Sequence, residues 1–314
     1  MRYSRQEVFI GKENQDLLNK KTVAIVGLGA LGSNASNLLT RAGVNLILID
    51  NDKVELSNLQ RQTIFTEQDL NKNKAEAARD YLSKVNSDIK IKAYNVKLNK
   101  NNINLLESDL VLDCTDNLET RFLINEYCYN KIPWIHAAAI QDKGLVFNVL
   151  PGRACFNCIY LNISNYDRCE DIGILNTVAS LVASMQVNEA IKILLNNYPE
   201  DNLIRINLKN NSFDKIKVNK NKNCEICQGK IINKKFELTL CRTGTTLTVR
   251  TNKKLNLDKI KNNFGVLRDA KVTLLIEVDN EQVILNNQGE IIFKTLKDEN
   301  KIMEIASKIY EIGK

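Results

Sequence analysis

The chain has 314 residues, enough for about two domains. Its 44% apolar and 26% charged residues are typical of a globular protein and exclude a disordered or collagen-like chain. The net charge of +7 is spread among many Asn residues, so we expect no nucleic-acid groove. No apolar run approaches the roughly 18 residues of a membrane span, and the N-terminal segment lacks a secretory signal. We therefore expect a cytoplasmic protein with no membrane or nucleic-acid partner.

Short apolar strands alternate with helices over the first 150 residues. Strands are predicted at residues 22–26, 45–49, 109–113 and 134–139, and helices from the glycine-rich turn to about residue 41, at 74–85 and at 118–130. This alternation predicts an α/β fold with a doubly wound, mainly parallel, Rossmann-like sheet. A further strand at 144–150 could run antiparallel.

The remaining sequence predicts the end of this domain and a second, smaller one. A polar loop at 162–176 precedes a long helix at 177–195 and strands at 203–208 and 213–218. After residue 232, short strands are predicted at 236–240, 246–250, 272–278, 282–285 and 290–293, with helices at 257–262 and 297–310. We expect one domain over 1–230 and a small α+β domain over 232–314, to which the sequence assigns no chemistry.

A glycine fingerprint joins the first predicted strand to the first predicted helix. Gly27, Gly29 and Gly32 have the G-x-G-x-x-G spacing that allows a tight turn, a close approach of phosphate and close helix packing. Asp50 closes the second strand, where a carboxylate can accept hydrogen bonds from a ribose. A purely structural turn is the alternative.

Polar and cationic residues after this acidic strand end favour a nucleoside triphosphate over a dinucleotide. Asn58 and Arg61 follow Asp50 closely, and Lys74 opens the next helix. A triphosphate needs several cations to stabilise its charge during displacement. Solvated surface charge is the alternative for Arg61 and Lys74.

Asp116 follows the strand at 109–113, at the sheet edge where open α/β folds bind ligands. Its carboxylate could hold Mg²⁺, since hard cations prefer oxygen ligands. The alternative is that Asp116 caps the helix that follows.

Four of the eight cysteines form two C-x-x-C pairs, Cys155 with Cys158 and Cys224 with Cys227. Four thiolates suit a closed, tetrahedral, structural Zn²⁺ site with no open position for chemistry. Free or redox-active thiols are the alternative. The apolar surroundings of Cys114, Cys128 and Cys241 predict packing roles.

Taken together, these motifs resemble the ThiF/MoeB/HesA family, relatives of ubiquitin-activating enzymes that adenylate the C-terminus of small ubiquitin-like proteins. The resemblance rests on residues 2–6, 27–32, 50–52, 57–62, Lys74, 113–117 with Arg121, and both C-x-x-C pairs. It covers about residues 1–230. The tail is similar to a small domain appended to some bacterial members and does not resemble a rhodanese domain.

The resemblance implies a role for each motif. Gly29 and its neighbours would approach ATP, Asp50 would bind the ribose, Asn58, Arg61 and Lys74 would contact the phosphates, and Asp116 would coordinate Mg²⁺. Arg5 would reach the triphosphate from a second subunit, so a homodimer is implied. Arg121 would support the loop carrying Asp116, and the four paired cysteines would hold structural zinc.

The resemblance also implies that Cys169, in a polar loop, is the cysteine that forms an acyl-disulfide or thioester with the carrier. Arg168 would favour its thiolate, whereas Glu170 and Asp171 would oppose it. An exposed bystander is the alternative.

One segment departs from the family pattern. Residues 135–138 are Ile-His-Ala-Ala, where relatives usually have a small residue or Tyr followed by Gly. We expect His136, the one histidine of the chain, to make a local hydrogen bond rather than act as a general base. Adenylation needs no protein base, because the attacking carboxylate is already ionised at pH 7.

The expected activity is ATP-dependent adenylation of the C-terminal glycine of a small ubiquitin-like sulfur carrier ending in Gly-Gly. A sulfur donor such as a cysteine desulfurase would then convert the acyl-adenylate to a thiocarboxylate for thiamine or molybdopterin synthesis. Three alternatives stay open: a peptide adenylyltransferase of a nucleotide-antibiotic pathway, a tRNA-modifying dehydratase and a nicotinamide-dependent oxidoreductase. The first usually carries an N-terminal peptide-binding domain, and the second usually lacks the paired cysteines.

Overall fold

The computed structural model describes residues 2–160, 173–199, 202–229, 238–243, 246–251 and 254–314. The chain divides into two compact units, one formed by the described residues up to 229 and the other by those from 238 onward.

The first unit has these elements in chain order: α1 (Ser4–Ile10), α2 (Lys12–Leu18), β1 (Thr22–Val26), α3 (Ala30–Ala42), β2 (Asn45–Ile49), α4 (Lys74–Val85), β3 (Ile91–Tyr94), β4 (Leu110–Asp113), α5 (Leu118–Cys128), β5 (Trp134–Ile140), β6 (Lys143–Val149), α6 (Phe156–Tyr160), α7 (Asn176–Leu194), β7 (Asn202–Asn207) and β8 (Ser212–Lys217). The second contains β9 (Leu238–Thr243), β10 (Thr246–Thr251), α8 (Leu257–Lys261), β11 (Gly265–Asp269), β12 (Thr273–Val278), β13 (Glu281–Asn286), β14 (Glu290–Phe293) and α9 (Glu299–Gly313).

An eight-stranded sheet forms the centre of the first unit, in the order β3-β2-β1-β4-β5-β6-β7-β8. The strands from β3 to β5 pair parallel, and β6, β7 and β8 extend the sheet antiparallel. The predicted α/β fold with a mainly parallel, Rossmann-like sheet is thus confirmed, including the antiparallel direction of β6.

Both faces of this sheet are buried, which explains why its central strands are continuously apolar. Val23 and Ile25 of β1 belong to the core on one face, together with residues of α3 and α7. Ala24 and Val26 belong to the core on the other face, together with residues of α5 and α6. Alternate side chains of one strand therefore fill two cores.

Four elements of the first unit escaped sequence-based prediction. The strand β3 is short and carries no fully buried residue, α1 likewise buries none, and α2 buries only Gln15 and Leu18, so none of the three has a clear apolar pattern. The fourth, α6, spans only 5 residues around the first C-x-x-C pair. Most of the predicted polar loop at 162–176 lies outside the described residues.

The second unit has a six-stranded antiparallel sheet in the order β11-β12-β13-β14-β10-β9. Its core joins strand residues such as Ile276 and Val283 to Ile302, Ile305 and Ile309 of α9. The strand β11 was not predicted, and all of its residues are exposed.

Within the part of the chain that the structure describes, no helix combines the length and apolarity needed to cross a membrane.

Candidate active site

The carboxyl ends of β2, β1 and β4 meet around the glycine-rich turn. The amide of Gly27 donates a 2.9 Å hydrogen bond to the carbonyl of Ile49, and the amide of Cys114 donates one of 2.9 Å to the carbonyl of Val26. These bonds continue the strand pairing just past each strand end, so the segments after the three strands emerge side by side.

The three fingerprint glycines differ in what surrounds them. A Cβ atom on Gly27 would lie 2.8 Å from the Cys114 carbonyl oxygen, and one on Gly32 would lie 1.9 Å from the Gly27 carbonyl oxygen. Gly27 also has a φ of 87°, a left-handed conformation that favours glycine. A Cβ atom on Gly29 would meet no atom within 4 Å. Packing thus explains Gly27 and Gly32, whereas the open space beside Gly29 fits a ligand at the N-terminus of α3.

Asp50 braces this turn from the end of β2. Its carboxylate accepts hydrogen bonds from the amides of Leu28 at 2.6 Å and Asp52 at 2.7 Å. Burial raises the pKa of Asp50, although the Leu28 amide and the charge of Lys74 oppose the rise. Asp50 therefore fixes the glycine turn, a role that the sequence did not reveal.

Lys74 is a buried cation that forms an ion pair with Asp52. Its side chain is 8% exposed, and Nζ lies 3.1 Å from Oδ2 of Asp52, whose side chain is 62% exposed. Asn73 caps α4 by accepting from the amides of Ala75 and Glu76, which fixes the start of the helix. The surface-charge alternative is therefore wrong for Lys74.

Arg61 and Asn58 lie on a turn that is hydrogen-bonded to α3. Asn58 is buried, and its Oδ1 accepts a hydrogen bond from the Glu55 amide at 3.2 Å. Arg61 is partly buried and donates from Nη1 to the Ser57 carbonyl at 2.9 Å. Asn34 of α3 donates to the Arg61 carbonyl at 3.4 Å. The Asn58 side chain thus shapes the turn, and the segment places Arg61 beside the first turns of α3.

Asp116 lies just beyond β4 and is exposed. The residue that caps α5 is Asn117, whose side chain accepts from the Thr120 amide at 2.9 Å. The alternative role of Asp116 as the helix cap is therefore wrong. Among the described residues, its carboxylate takes part in no hydrogen bond or ion pair, which leaves its oxygens available to a ligand.

Beneath Asp116 lies a buried polar group. Asp113, at the end of β4, is fully buried, and its Oδ2 is 2.6 Å from Nδ1 of His136. The guanidinium Nε of Arg121 lies 3.5 Å from the same oxygen. Burial alone would raise the pKa of Asp113, but the His136 hydrogen bond and the Arg121 charge hold it below its ordinary value. His136 thus makes the local hydrogen bond expected of it.

Gln186 is a buried residue of this region that sequence reasoning missed. From α7, its Nε2 donates to the carbonyls of Asp113 at 3.0 Å and Ile135 at 3.1 Å. Its Oε1 accepts from the Cys114 thiol at 3.4 Å. Gln186 therefore joins the ends of β4 and β5. A glutamine in an apolar helix stretch is the only sequence signal for this role.

Arg5 is not brought to this site within one chain. Residues beside it attach α1 to the far ends of α3 and α4: Gln6 donates to the Ala42 carbonyl at 3.2 Å, and Tyr3, just before α1, accepts from Asn86 at 2.8 Å. The helix α3 has 13 residues, so these contacts lie about 20 Å from its N-terminus.

The four paired cysteines converge in one cluster. Their sulfur atoms all lie within 4.8 Å of one another. Cys155 is 3.9 Å from Cys158 and 3.5 Å from both Cys224 and Cys227. For a tetrahedral site with Zn–S bonds of about 2.3 Å, sulfur separations of about 3.8 Å are expected. The donor set and spacing therefore fit a closed zinc site.

The other cysteines fall into two groups. Cys114 and Cys128 are buried, as expected of packing residues, and burial raises the pKa of Cys128 to about 12. Cys169 and the side chain of Cys241 lie outside the described residues, so their expected roles stay predictions.

Comparison with known proteins relates the chain to one family. The profile of the ThiF family matches residues 3–226. The molybdopterin-synthase adenylyltransferase of Escherichia coli is 37% identical over 238 residues, covering 72% of this chain and 96% of the relative. The ThiS adenylyltransferase of the same organism is 34% identical over 239 residues, covering 73% and 95%.

Among solved structures, Escherichia coli MccB with ATP is similar, at a TM-score of 0.64 and 25% identity, covering 73% of this chain and 75% of that one. The matched region contains the glycine turn, the residues around it and three of the four clustered cysteines, with the fourth directly after it. The chain belongs to the ThiF family and is an adenylyltransferase.

Proposed function

We propose that this adenylyltransferase uses ATP and Mg²⁺ to activate the C-terminal glycine of a small ubiquitin-like sulfur carrier ending in Gly-Gly. One arrangement carries the proposal: the glycine turn and the segment with the exposed Asp116 follow the paired strands β1 and β4, and the charge of the buried Lys74 acts on Asp50, which bonds to that turn. The space beside Gly29 is open. The two relatives from Escherichia coli act on molybdopterin synthase and on the sulfur carrier ThiS, as their names state.

The reaction is an in-line displacement at the α-phosphorus of ATP. An oxygen of the glycine carboxylate forms a bond to that phosphorus, and the bond to the bridging oxygen of the β-phosphate breaks. Pyrophosphate leaves with the electron pair, and an acyl-adenylate remains. No proton is transferred, because the carboxylate is ionised at neutral pH.

Positioning and charge stabilisation supply the catalysis. In the proposal, Gly29 and the N-terminus of α3 hold phosphate, and Asp50 holds the ribose. Lys74 and Arg61 stabilise the negative charge that shifts onto pyrophosphate, and Asn58 contributes a polar contact. The burial of Lys74 favours this role, since a cation in a weakly solvated site interacts more strongly with phosphate than one in water.

Asp116 is the residue we assign to Mg²⁺. Its exposed carboxylate is free of partners among the described residues and lies at the carboxyl end of β4, where a hard cation could take an oxygen ligand. When bound, Mg²⁺ would neutralise phosphate charge.

A second copy of the chain supplies Arg5. The contacts of Tyr3 and Gln6 hold α1 at the sheet edge opposite the glycine turn, so Arg5 of the same chain cannot reach the triphosphate. On the same helix, Val8 is 86% exposed and Phe9 is 89% exposed. Burial of these two apolar side chains would favour a homodimer.

The cysteine cluster would hold Zn²⁺ with a structural role. Four sulfur ligands fill a tetrahedral site, so no position stays open for chemistry. The metal would join α6 to the segment after β8.

The later steps need a partner beyond the described site. A sulfur donor such as a cysteine desulfurase would deliver sulfur, giving a thiocarboxylate for thiamine or molybdopterin synthesis in the cytoplasm. Cys169 is proposed to form the covalent link to the activated carrier.

A second candidate, peptide adenylation, is favoured by the likeness to MccB, which has been solved with ATP and with N-formylated MccA. Pyrophosphate exchange into ATP separates the candidates. We expect exchange with a ubiquitin-like carrier ending in Gly-Gly and none with the same carrier lacking the last glycine. Exchange with a peptide only would support the second candidate, and binding of NADH without exchange would contradict both.

A further inference from the structure

The bond between Asp113 and His136 is a fully buried polar contact beside the proposed site. Both side chains are inaccessible to solvent, and Oδ2 of Asp113 is 2.6 Å from Nδ1 of His136. The two residues lie opposite each other on the paired strands β4 and β5. Since the carboxylate accepts, Nδ1 of His136 carries the proton and donates.

The other oxygen of Asp113 shapes the turn that leads to Asp116. Oδ1 accepts from the Thr115 hydroxyl at 2.6 Å and from the Thr115 amide at 3.0 Å. Arg121 lies 3.5 Å from Oδ2 and donates to the Thr115 carbonyl. The hydroxyl, amide and carbonyl of Thr115 are therefore all held by this ion pair, one residue before Asp116.

The imidazole of His136 is held in a fixed orientation. Its ring meets the ring of Phe156 edge-on at a centroid distance of 4.9 Å, and that of Trp134 at 6.3 Å. Burial lowers the pKa of His136, and the charge of Arg121 lowers it further, against the effect of Asp113. His136 is therefore a neutral donor at neutral pH. A protonated imidazole would place a second positive charge beside Arg121.

We propose that His136 is a positioning residue for adenylation: its Nδ1–H orients Asp113, which fixes Thr115 and thereby aims the Asp116 carboxylate at the Mg²⁺ of the bound nucleotide. The inference rests on the proposed function, and it assigns His136 no contact with substrate. According to this inference, the gain in ATP affinity that Mg²⁺ provides depends on the hydrogen bond between His136 and Asp113.

ATP binding to the full chain, measured by calorimetry with Mg²⁺ and again with EDTA, tests the inference. We expect His136→Leu to weaken binding about tenfold with Mg²⁺, the range for a lost hydrogen bond to a charged group, and less than twofold with EDTA. His136→Asn places an amide N–H near the position of Nδ1 and should restore most of the Mg²⁺-dependent affinity.

Two further variants separate positioning from general destabilisation. Phe147, the fully buried residue paired with His136 on β6, has no polar group, so Phe147→Leu should lower stability and leave the Mg²⁺ effect unchanged. Thr115→Val keeps the histidine and removes only the hydroxyl that donates to Asp113. It should weaken Mg²⁺-dependent binding about threefold, and it carries the test if His136→Leu does not fold.

The outcomes distinguish this inference from the function on which it rests. A wild-type chain that binds ATP equally with Mg²⁺ and EDTA would overturn both. A wild-type chain with a clear Mg²⁺ effect that His136→Leu and Thr115→Val retain would overturn the inference alone. The inference alone would also be overturned if His136→Asn bound ATP with Mg²⁺ as weakly as His136→Leu.

Discussion

Asn86 donates a 2.8 Å hydrogen bond to the hydroxyl of Tyr3, and this bond attaches the first helix to the end of α4. Arg2 adds contacts to the Val85 carbonyl and to Asp88 in the same place. The start of α4, by contrast, carries Lys74 at the proposed nucleotide site. Since the helix separates these two ends, we propose that Arg5 serves the nucleotide of another copy of the chain.

Mixing two inactive variants tests this arrangement. We expect Arg5→Ala and Asp116→Ala each to abolish pyrophosphate exchange with the carrier. When the two variants are mixed, briefly unfolded and refolded so that their subunits redistribute, about a quarter of the wild-type activity should return. Half of the random dimers would be mixed, and each mixed dimer would have one intact site.

Lys12→Ala supplies the matched control, since Lys12 is an exposed cation on the neighbouring helix. It should retain full exchange. Activity in pure Arg5→Ala protein, or no recovery in the mixture, would contradict a role for Arg5 in the partner's site.

The second prediction concerns the carboxylate that we assign to Mg²⁺. Asp116→Asn keeps the size of the side chain and removes its charge, so exchange should fall by at least about a hundredfold, in the range for loss of one transition-state contact. Glu119→Gln, an exposed carboxylate on the first turn of α5, should change exchange less than twofold. Comparable losses in the two variants would show that loss of any carboxylate near the start of α5 impairs exchange, and would contradict a metal-binding role for Asp116.

The third prediction concerns the cysteine cluster. Purified protein should contain about one zinc per chain, measured by plasma mass spectrometry, and Cys224→Ser should lose it together with several kcal/mol of the free energy of unfolding. Cys128→Ala removes a buried thiol outside the cluster and should keep its zinc. A folded, metal-free wild-type protein with oxidised cysteines would contradict the zinc assignment.

Residue patterns predicted the central sheet well because each strand depends on its own apolar run. The bounds of β1 and β2 match the predicted residues, and β4 differs by one residue. The glycine fingerprint and Lys74 were found in the same way, since a turn and a helix start have local signals. The two C-x-x-C pairs met as expected because thiol pairs with this spacing suit one metal.

The polar support beneath the site was not predictable in detail. Asp113 and His136 are 23 positions apart, and Gln186 lies a further 50 positions along the chain. Their contacts depend on how β4, β5 and α7 pack, which no local pattern encodes. The first two helices were missed for another reason: α1 buries no residue and α2 buries only Gln15 and Leu18, so neither has an apolar stripe.

A fourth prediction separates activation from sulfur transfer. If Cys169 acts only after the acyl-adenylate forms, Cys169→Ala should keep normal pyrophosphate exchange and lose formation of the thiocarboxylate, read as a mass change of the carrier. Cys169→Ser is the conservative comparison. Loss of exchange in both variants would show that Cys169 acts in the first step.

The fifth prediction is a pH dependence of stability that arises at His136. Burial lowers the pKa of His136 from 6.5, so the unfolded chain takes up a proton near that pH while the folded chain does not. The unfolded state then binds more protons, and the free energy of unfolding falls as pH drops from about 6.5 towards the folded pKa, by up to about 1.4 kcal/mol per pH unit.

The neighbouring carboxyls act in lower windows. The pKa of Asp113 is held below 3.8 against the effect of burial, so its stabilising contribution persists above that value and is lost only as pH falls through the folded pKa. The pKa of Asp50 is raised, mainly by burial. The folded state therefore binds more protons at this group than the unfolded state, and the free energy of unfolding falls as pH rises from 3.8 through the folded pKa.

Urea unfolding at pH 7.5 and pH 5.5 measures the change in the free energy of unfolding for the wild-type chain and for His136→Asn. Both proteins contain Asp113 and Asp50, so the difference between them reports the contribution of His136. The wild-type chain should lose more stability than the variant between these values. Because the chain has one histidine, its imidazole resonances report the same group directly in untagged protein. In the folded state they should titrate below pH 6.5, and above that transition they should be those of a neutral ring protonated at Nδ1. Titration at or above pH 6.5 in the folded state would contradict the buried Asp113–His136 bond.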